Sequence, residues 1–492
     1  MPVCADPPPA VPPSSRFEAL QRGSPSQLGV DPDRIVSFLD DVEDAGLDLH
    51  GLILQRHGSV IAEGWKWPYS AEKPRVLHSV AKSFTACAIG FAVSEGLMQL
   101  SDKVVSFFPE HLPADVHDRL SRMTVEHLLT MRTGHASNTS GAVWRQIQTS
   151  WIAEFFKIPL VYEPGEHYVY TSAASYMLSA IITRLTGLTL HQYLRPRLFM
   201  PLGIHDDHWE VGPDGINPGG NGLTAPPSAM LKLGMLHAQR GMWEGQRILP
   251  EDWIDRATQP QGGSDSQYGY HWAIKPKDAY CAVGVFVQMS IVYAQHGATL
   301  VLVGAMKNSA QIRPHIERHF PEALTGVCQP AVAADQRLTR RLEAMGRVPV
   351  LTSQARGRLQ SPATLYFEID DNELGVRTLG FAFENDTIEV VVHDATGEHV
   401  VVAGIDRWHH GTTSMPGQDL HHGYALDNAE VIAGGCWMDD ATLQLQWIYP
   451  GCAFRDTVVC TFTEDTLRYE RNTNVNSGRL RHPALRGKRQ RR

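Results

Sequence analysis

The sequence predicts an α/β (α+β) chain. It reads as an antiparallel sheet flanked by helices with a helical subdomain, followed by a C-terminal antiparallel β domain, either a barrel or a sandwich. Three observations predict this. Strand-like runs lie on both sides of a long helical, loop-rich region. Near residue 357 the texture changes to short alternating runs separated by turn residues such as Asp370-Asp371-Asn372 and Asn385-Asp386. The chain is 492 residues long, 43% hydrophobic and 20% charged, which is room for two or three domains.

Taken in order, residues 1–27 are rich in Pro and Ser and are expected to form a loose N-terminal arm. An amphipathic helix follows at 31–45. Residues 52–67 read as a hairpin that turns at Arg56-His57-Gly58-Ser59. A helix opens at Ser79, and the proline-free run 83–100 offers Ala86, Ile89, Gly90, Ala92, Val93 and Leu97 as its apolar face. The helical subdomain covers about 101–265, with helices at 125–131, 172–185 and 227–239. Strand character returns at 268–274, 280–293 and 299–303, and a helix at 310–319 closes a first domain of residues 28–325. Residues 326–355 read as a linker with a helix. The β domain, 356–478, has strand-like runs at 363–369, 380–383, 387–392, 399–403, 443–448, 456–462 and 466–469. Residues 479–492 carry Arg479, Arg481, Arg486, Lys488, Arg489, Arg491 and Arg492 with no acid, and are expected to be a basic disordered tail.

Composition excludes some functions. The net charge is −9 despite that basic tail, and an acidic body argues against nucleic acid as a ligand. No run of about 18 apolar residues is present, so no membrane partner is expected. The first residues lack a basic region and an apolar run, which predicts a cytoplasmic location. Seven cysteines are sparse and form no C-x-x-C pattern, as expected for a reducing compartment. His205-Asp206-Asp207-His208 and the pairs His409-His410 and His421-His422 offer no complete ligand set, so neither metal nor cofactor is expected. The oligomeric state stays open.

The chemistry concentrates at Ser79-Val80-Ala81-Lys82. Residues three apart on a helix are neighbours, roughly 5–6 Å at Cβ, so the amine reaches the hydroxyl. That pairing makes a serine nucleophilic without histidine. At the first turn of a helix, free N–H groups and the positive helix end also favour an oxyanion. Ser70-Ala71-Glu72-Lys73 fits the same spacing, but Pro74 pushes Lys73 out of helical geometry, and this copy is read as chance.

Several segments, in order, resemble the serine hydrolases related to class C β-lactamases and penicillin-binding proteins, closest to the branch of 6-aminohexanoate-oligomer hydrolases and carboxylesterases. They are Leu77-His78-Ser79-Val80-Ala81-Lys82, Leu128-Leu129-Thr130-Met131-Arg132-Thr133-Gly134-His135, Tyr162-Glu163-Pro164-Gly165 with Tyr170-Thr171-Ser172 and Tyr176, and Tyr268-Gly269-Tyr270-His271-Trp272 with Val283-Gly284-Val285. The resemblance implies a β-lactamase/transpeptidase-like fold over the first 325 residues. It implies Ser79 as acylated nucleophile, Lys82 as the group that takes its proton, and Tyr170 as second base and acid. The N–H groups of Ser79 and Val285 would form an oxyanion hole. His135, Ser172, Gly284 and Gln288 would meet the substrate. Two departures stand out. Ser172 replaces the family asparagine, and Val283-Gly284-Val285 replaces Lys-Thr-Gly, which removes the lysine that grips a β-lactam carboxylate. Val287 stands where relatives often have glycine.

The function expected is a cofactor-independent serine hydrolase acting on a small-molecule or short-peptide substrate: a small amide, a short linear peptide or an ester. The alternatives are a carboxylesterase with promiscuous or weak β-lactamase activity, and a non-catalytic binding protein on the same fold.

Overall fold

The computed structural model describes residues 20–490 apart from 139–143, 145, 263–266, 277–278, 358–362, 416–420 and 422–427. His422 and most of the expected N-terminal arm lie outside the described residues.

The first body is organised by one six-stranded antiparallel sheet. Its strands are β1 (Leu49–Arg56), β2 (Ser59–Trp65), β3 (Ala273–Lys275), β4 (Ala279–Gly284), β5 (Gln288–Tyr293) and β6 (Ala298–Gly304), in the order β2-β1-β6-β5-β4-β3. Strand residues alternate between faces. Leu52, Leu54, Leu300 and Leu302 face helix α1 (Pro32–Asp44), whereas Ile53, Val301 and Val303 face a larger core shared with the inserted helices. Asp31 caps α1, its carboxylate accepting from the N–H groups of Asp33 and Arg34.

Helix α2 (Ala81–Ser94) carries the deepest part of that core. Residues 81–92 are buried on every side, so α2 has no polar face; Leu97, expected on its apolar stripe, lies beyond its end and is exposed. Helix α3 (Val125–Leu129), α4 (Trp151–Lys157), α5 (Ser172–Thr186) and α6 (Pro227–Ala238) lie in the helical region between β2 and β3, which also holds further short helices such as Leu190–Leu194 and Glu251–Ala257. Trp151, Phe155 and Phe156 are core residues of α4. Helix α7 (Arg313–His319) returns to α1, and α8 (Val332–Met345) lies in the segment expected as a linker. Leu338 and Leu342 of α8 are buried in the α1 core, and Arg341 is ion-paired with Asp40 at 2.7 Å.

The second body is a closed ten-stranded barrel. Strands β7 (Ala363–Ile369), β8 (Thr378–Glu384), β9 (Thr387–His393), β10 (Glu398–Ile405), β11 (Trp408–Thr413), β12 (Ala429–Trp437), β13 (Thr442–Ile448), β14 (Arg455–Phe462), β15 (Thr466–Thr473) and β16 (Leu485–Arg489) pair antiparallel in the order β10-β9-β8-β7-β16-β15-β14-β13-β12-β11. Gly404 and Ile405 of β10 pair parallel with Gly434 and Gly435 of β12, which joins the two ends. Strand β16 corrects the expectation of a disordered tail. Arg486, Lys488 and Arg489 are exposed while Leu485 and Gly487 are buried, and a Cβ on Gly487 would lie 2.7 Å from Ile369. Closure matters because an open sheet presents unpaired edges.

Among the described residues no single helix is long and apolar enough to cross a membrane.

Deleting residues 485–492 removes β16 and leaves β7 and β15 with open edges. The thermal midpoint of the barrel is expected to fall by roughly 5 °C or more. A truncated chain that melts with the parent would show that β16 is dispensable.

Candidate active site

Ser79 sits in a single 3-10 turn, His78–Val80, directly before α2. His78 has φ 52°, a left-handed conformation for a non-glycine residue that costs about 1–3 kcal/mol. The turn therefore arrives at Ser79 strained, and the surrounding contacts must hold it.

Lys82 is one turn on and 2% exposed. Its Nζ lies 3.1 Å from Ser79 Oγ, 2.9 Å from Ser172 Oγ and 2.8 Å from the Gly220 carbonyl oxygen. An ammonium has three donors, and here all three have acceptors. Ser172 is the first residue of α5, whose N-cap is Thr171, with its hydroxyl accepting from Ala173 N–H at 3.3 Å. Gly220 is tightly packed: a Cβ there would lie 3.0 Å from that of Ser172 and 3.2 Å from Nζ, so any side chain would press on the lysine. The ring of Tyr170 meets Nζ at 4.8 Å from its centroid, and Tyr268 packs edge-on against Tyr170. The structure thus brings Ser79, Lys82, Tyr170 and Ser172 together.

Val283, Gly284 and Val285 line the same cavity, of about 940 Å³, a size suited to a small-molecule or short-peptide ligand. The expected single strand 280–293 is a hairpin. Strand β4 ends at Gly284, β5 begins at its partner Gln288, and Val285, Phe286 and Val287 make the turn. Phe286 and Val287 have φ 62° and 67°. Apolar residues on both sides conceal such a turn, since Val285, Phe286 and Val287 themselves include no glycine, proline or asparagine. A Cβ on Gly284 would lie 2.5 Å from the Leu77 carbonyl oxygen, so only glycine lets the end of β4 touch the nucleophile turn.

Two expected substrate contacts are elsewhere. His135 is 1% exposed beneath the edge of Phe155, its Nδ1 is 2.8 Å from Thr133 Oγ1, and burial holds its imidazole at about 4. Gly134 turns the chain inward with φ 90°, which removes His135 from the cavity wall. Gln288 is fully buried and donates from Nε2 to the Gly304 carbonyl at 3.1 Å, so it braces the hairpin.

Sequence reasoning missed other wall residues. His271 lines the cavity, its Nε2 is 2.9 Å from Ser175 Oγ, and burial reinforced by the Lys82 charge holds its imidazole at about 3. Arg132 is buried, donating to the Glu166 carbonyl at 2.7 Å. Lys275 is half-buried on edge strand β3. Residues 217–221, Asn-Pro-Gly-Gly-Asn, announce a loop in the sequence, but nothing in them announces a carbonyl aimed at Lys82. Among the described residues no three His, Cys, Asp or Glu side chains gather as a metal site.

Residues 39–315, more than half of the chain, match the Beta-lactamase family. The chain belongs to the β-lactamase family. Its members are serine hydrolases, in keeping with the fold and the Ser79–Lys82 pair. A Salmonella heidelberg (strain SL476) protein with the provisional name D-alanyl-D-alanine carboxypeptidase is 22% identical over 245 residues, 44% of this chain and 55% of that protein. The chain thus spans about half the length of the curated relatives it matches. A Bacillus anthracis structure provisionally named as a 6-aminohexanoate-dimer hydrolase superposes with TM-score 0.51 at 17% identity, over 58% of this chain and 80% of that one. EstCE1, a hydrolase with promiscuous acyltransferase activity, superposes with TM-score 0.51 at 17% identity, over 61% of this chain and 99% of that one. At these identities the two structures establish a shared fold.

Four buried histidines make stability depend on pH. His50, His135, His237 and His271 are held by burial at about 4, 4, 4 and 3, below the ordinary value near 6.5. Unfolding exposes them to protonation. Stability is therefore full above about pH 6.5 and is lost as pH falls toward 4, each group contributing up to about 1.4 kcal/mol per pH unit. Urea midpoints are expected to change little from pH 7.5 to about 6.5 and to fall from there to pH 5, and a flat profile across the whole range would contradict this account.

Proposed function

We propose that this chain hydrolyses a small amide, a short linear peptide or an ester through an acyl-enzyme on Ser79. The observation that carries the reading is the buried Lys82 amine within hydrogen-bond reach of Ser79 Oγ, at the wall of an open cavity. In its base form the amine still donates to Ser172 Oγ and the Gly220 carbonyl, and turns its lone pair to the Ser79 hydroxyl.

The steps follow from that arrangement. Ser79 O–H gives its proton to Lys82 as Oγ bonds to the substrate carbonyl carbon. The carbonyl oxygen becomes an oxyanion facing the Ser79 and Val285 N–H groups. Collapse of the intermediate breaks the bond to nitrogen or oxygen, and the leaving group takes a proton from Tyr170, relayed from Lys82. Water then attacks the acyl carbonyl carbon and loses its proton to the same pair; collapse of that second intermediate breaks the acyl bond to Ser79 Oγ, which takes the proton back as the acid product is released. An amine leaving group needs that proton more than an alkoxide does, so Tyr170 favours amide cleavage. The absence of Lys-Thr-Gly, with Val283-Gly284-Val285 in its place, weighs against β-lactams as substrates.

Ser79→Ala is expected to abolish turnover of p-nitrophenyl acetate and of peptide anilides, and Lys82→Ala to lower kcat by at least about 100-fold with the fold intact. Steady-state assays with circular dichroism check this; turnover by Ser79→Ala would exclude the reading. Tyr170→Phe should cost anilide turnover more than ester turnover, and equal losses would remove Tyr170 as the acid.

Lys275 lies opposite Ala279, and Gly284 is five residues further along β4, roughly 16 Å at strand spacing. A substrate bearing a carboxylate remote from its scissile bond would reach it. Lys275→Ala is expected to raise KM severalfold for such substrates and to leave uncharged ones unchanged. An equal effect on both sets would exclude Lys275 as a specificity residue.

A further inference from the structure

The turn that ends β4 is packed by the barrel. Phe286, at its centre, is 1% exposed and belongs to the apolar core of the barrel together with Phe454, Trp447 and Leu445. Its ring centroid is 5.6 Å from that of Phe454, on the β13–β14 turn. It is also 5.5 Å from the imidazole of His78, edge to face, and 5.3 Å from that of His421, which follows β11. His78 and His421 close the set at 5.8 Å. His421 Nδ1 is hydrogen-bonded to Ser477 Oγ, which ties it to the segment after β15. The backbone agrees with this picture. Val76 N–H, just ahead of the nucleophile turn, donates to the Gly451 carbonyl on the same β13–β14 turn at 2.8 Å.

Both proposed oxyanion donors are thus one residue away from a ring in this cluster. Ser79 follows His78, and Val285 precedes Phe286. His78 and Phe286 are also two of the residues forced into left-handed backbone. Neither conformation is favoured by the local sequence, so each must be held from outside. The barrel side chains Phe454 and His421 are the outside support.

We propose that the barrel is a part of the active site at one remove: Phe286 is a positioning residue, clamped by His78, His421 and Phe454, that holds the Val285 N–H opposite the Ser79 N–H. This deepens the proposed function and rests on it. A wedge of this kind acts on the transition state more than on the bound substrate, because the oxyanion is present only there. Loosening it therefore lowers kcat and spares KM.

The test is Phe286→Ala and His421→Ala in the full chain, with Phe286→Leu as the conservative variant and Ser79→Ala in parallel. Two readouts are taken: kcat and KM for p-nitrophenyl acetate, and the rate of labelling by a fluorophosphonate, whose phosphoryl oxygen needs the same two N–H groups. We expect Phe286→Ala and His421→Ala to lose tenfold or more in kcat and in labelling rate, with KM within twofold, and Phe286→Leu to recover most of the loss. If Phe286→Ala does not fold, His421→Ala carries the test, since it removes barrel support without touching the turn's own chain. Folded variants with parental kcat and labelling rate would overturn the proposal, as would a loss seen only in KM. Activity in Ser79→Ala would instead overturn the underlying catalytic reading, so the two failures are distinguishable.

Discussion

A buried lysine amine must be given hydrogen-bond partners, because an unpaired charge away from water costs several kcal/mol. Lys82 receives three, and each comes from a different segment: Ser79 from the turn before α2, Ser172 from the start of α5, and the Gly220 carbonyl from the 217–221 loop ahead of α6. Satisfying one side chain therefore fixes how these three segments meet. Neighbouring bonds reinforce the same junction. Thr85 Oγ1 donates to the Gly219 carbonyl at 2.7 Å, and Ser83 Oγ donates to the His271 carbonyl at 2.8 Å. The cavity lies where it does because its wall is assembled around this amine.

Much of this was legible in the chain. The spacing of Ser79 and Lys82, the decoy at Lys73, and the register from Tyr170 to Ser172 and Tyr176 all concern residues whose chemistry is carried by side chains at short separation. Lys73 indeed points away, to Glu430 on the barrel at 2.5 Å. The first sheet and its helices were legible for the same reason, since apolar period reports burial directly. What stayed hidden depends on backbone and on distant contacts. The Gly220 carbonyl is invisible to a reading of side chains. The Val285–Val287 turn uses residues that prefer strands, and it is held by contacts remote in sequence, among them the packing of Phe286 in the barrel core and the Gln288 side chain. Strand β11 carries His409, His410 and Gly411 and lacks an apolar alternation, β12 has two adjacent glycines, and β16 is mostly arginine and lysine on its outer face. His135 and Gln288 erred in the other direction: the resemblance placed them near the substrate, whereas burial turns both into supports.

The barrel changes how the site is understood. Its strands close on themselves, and its contacts with the first body include the Lys73–Glu430 and Asp48–Arg455 ion pairs, Trp67 against Trp408, the turn at Gly451, the ring of Phe454 and His421. The last three fall on the two segments that carry the proposed oxyanion donors. A rigid closed sheet is a suitable support for backbone held in unfavourable conformations.

The central claim is that Ser79 forms a covalent acyl intermediate. Mixing the protein briefly with p-nitrophenyl acetate, quenching in acid and mapping the peptides by mass spectrometry tests it most directly. The account predicts an acetyl group on Ser79. Turnover with Ser79 unmodified and the acetyl group on another residue would contradict it.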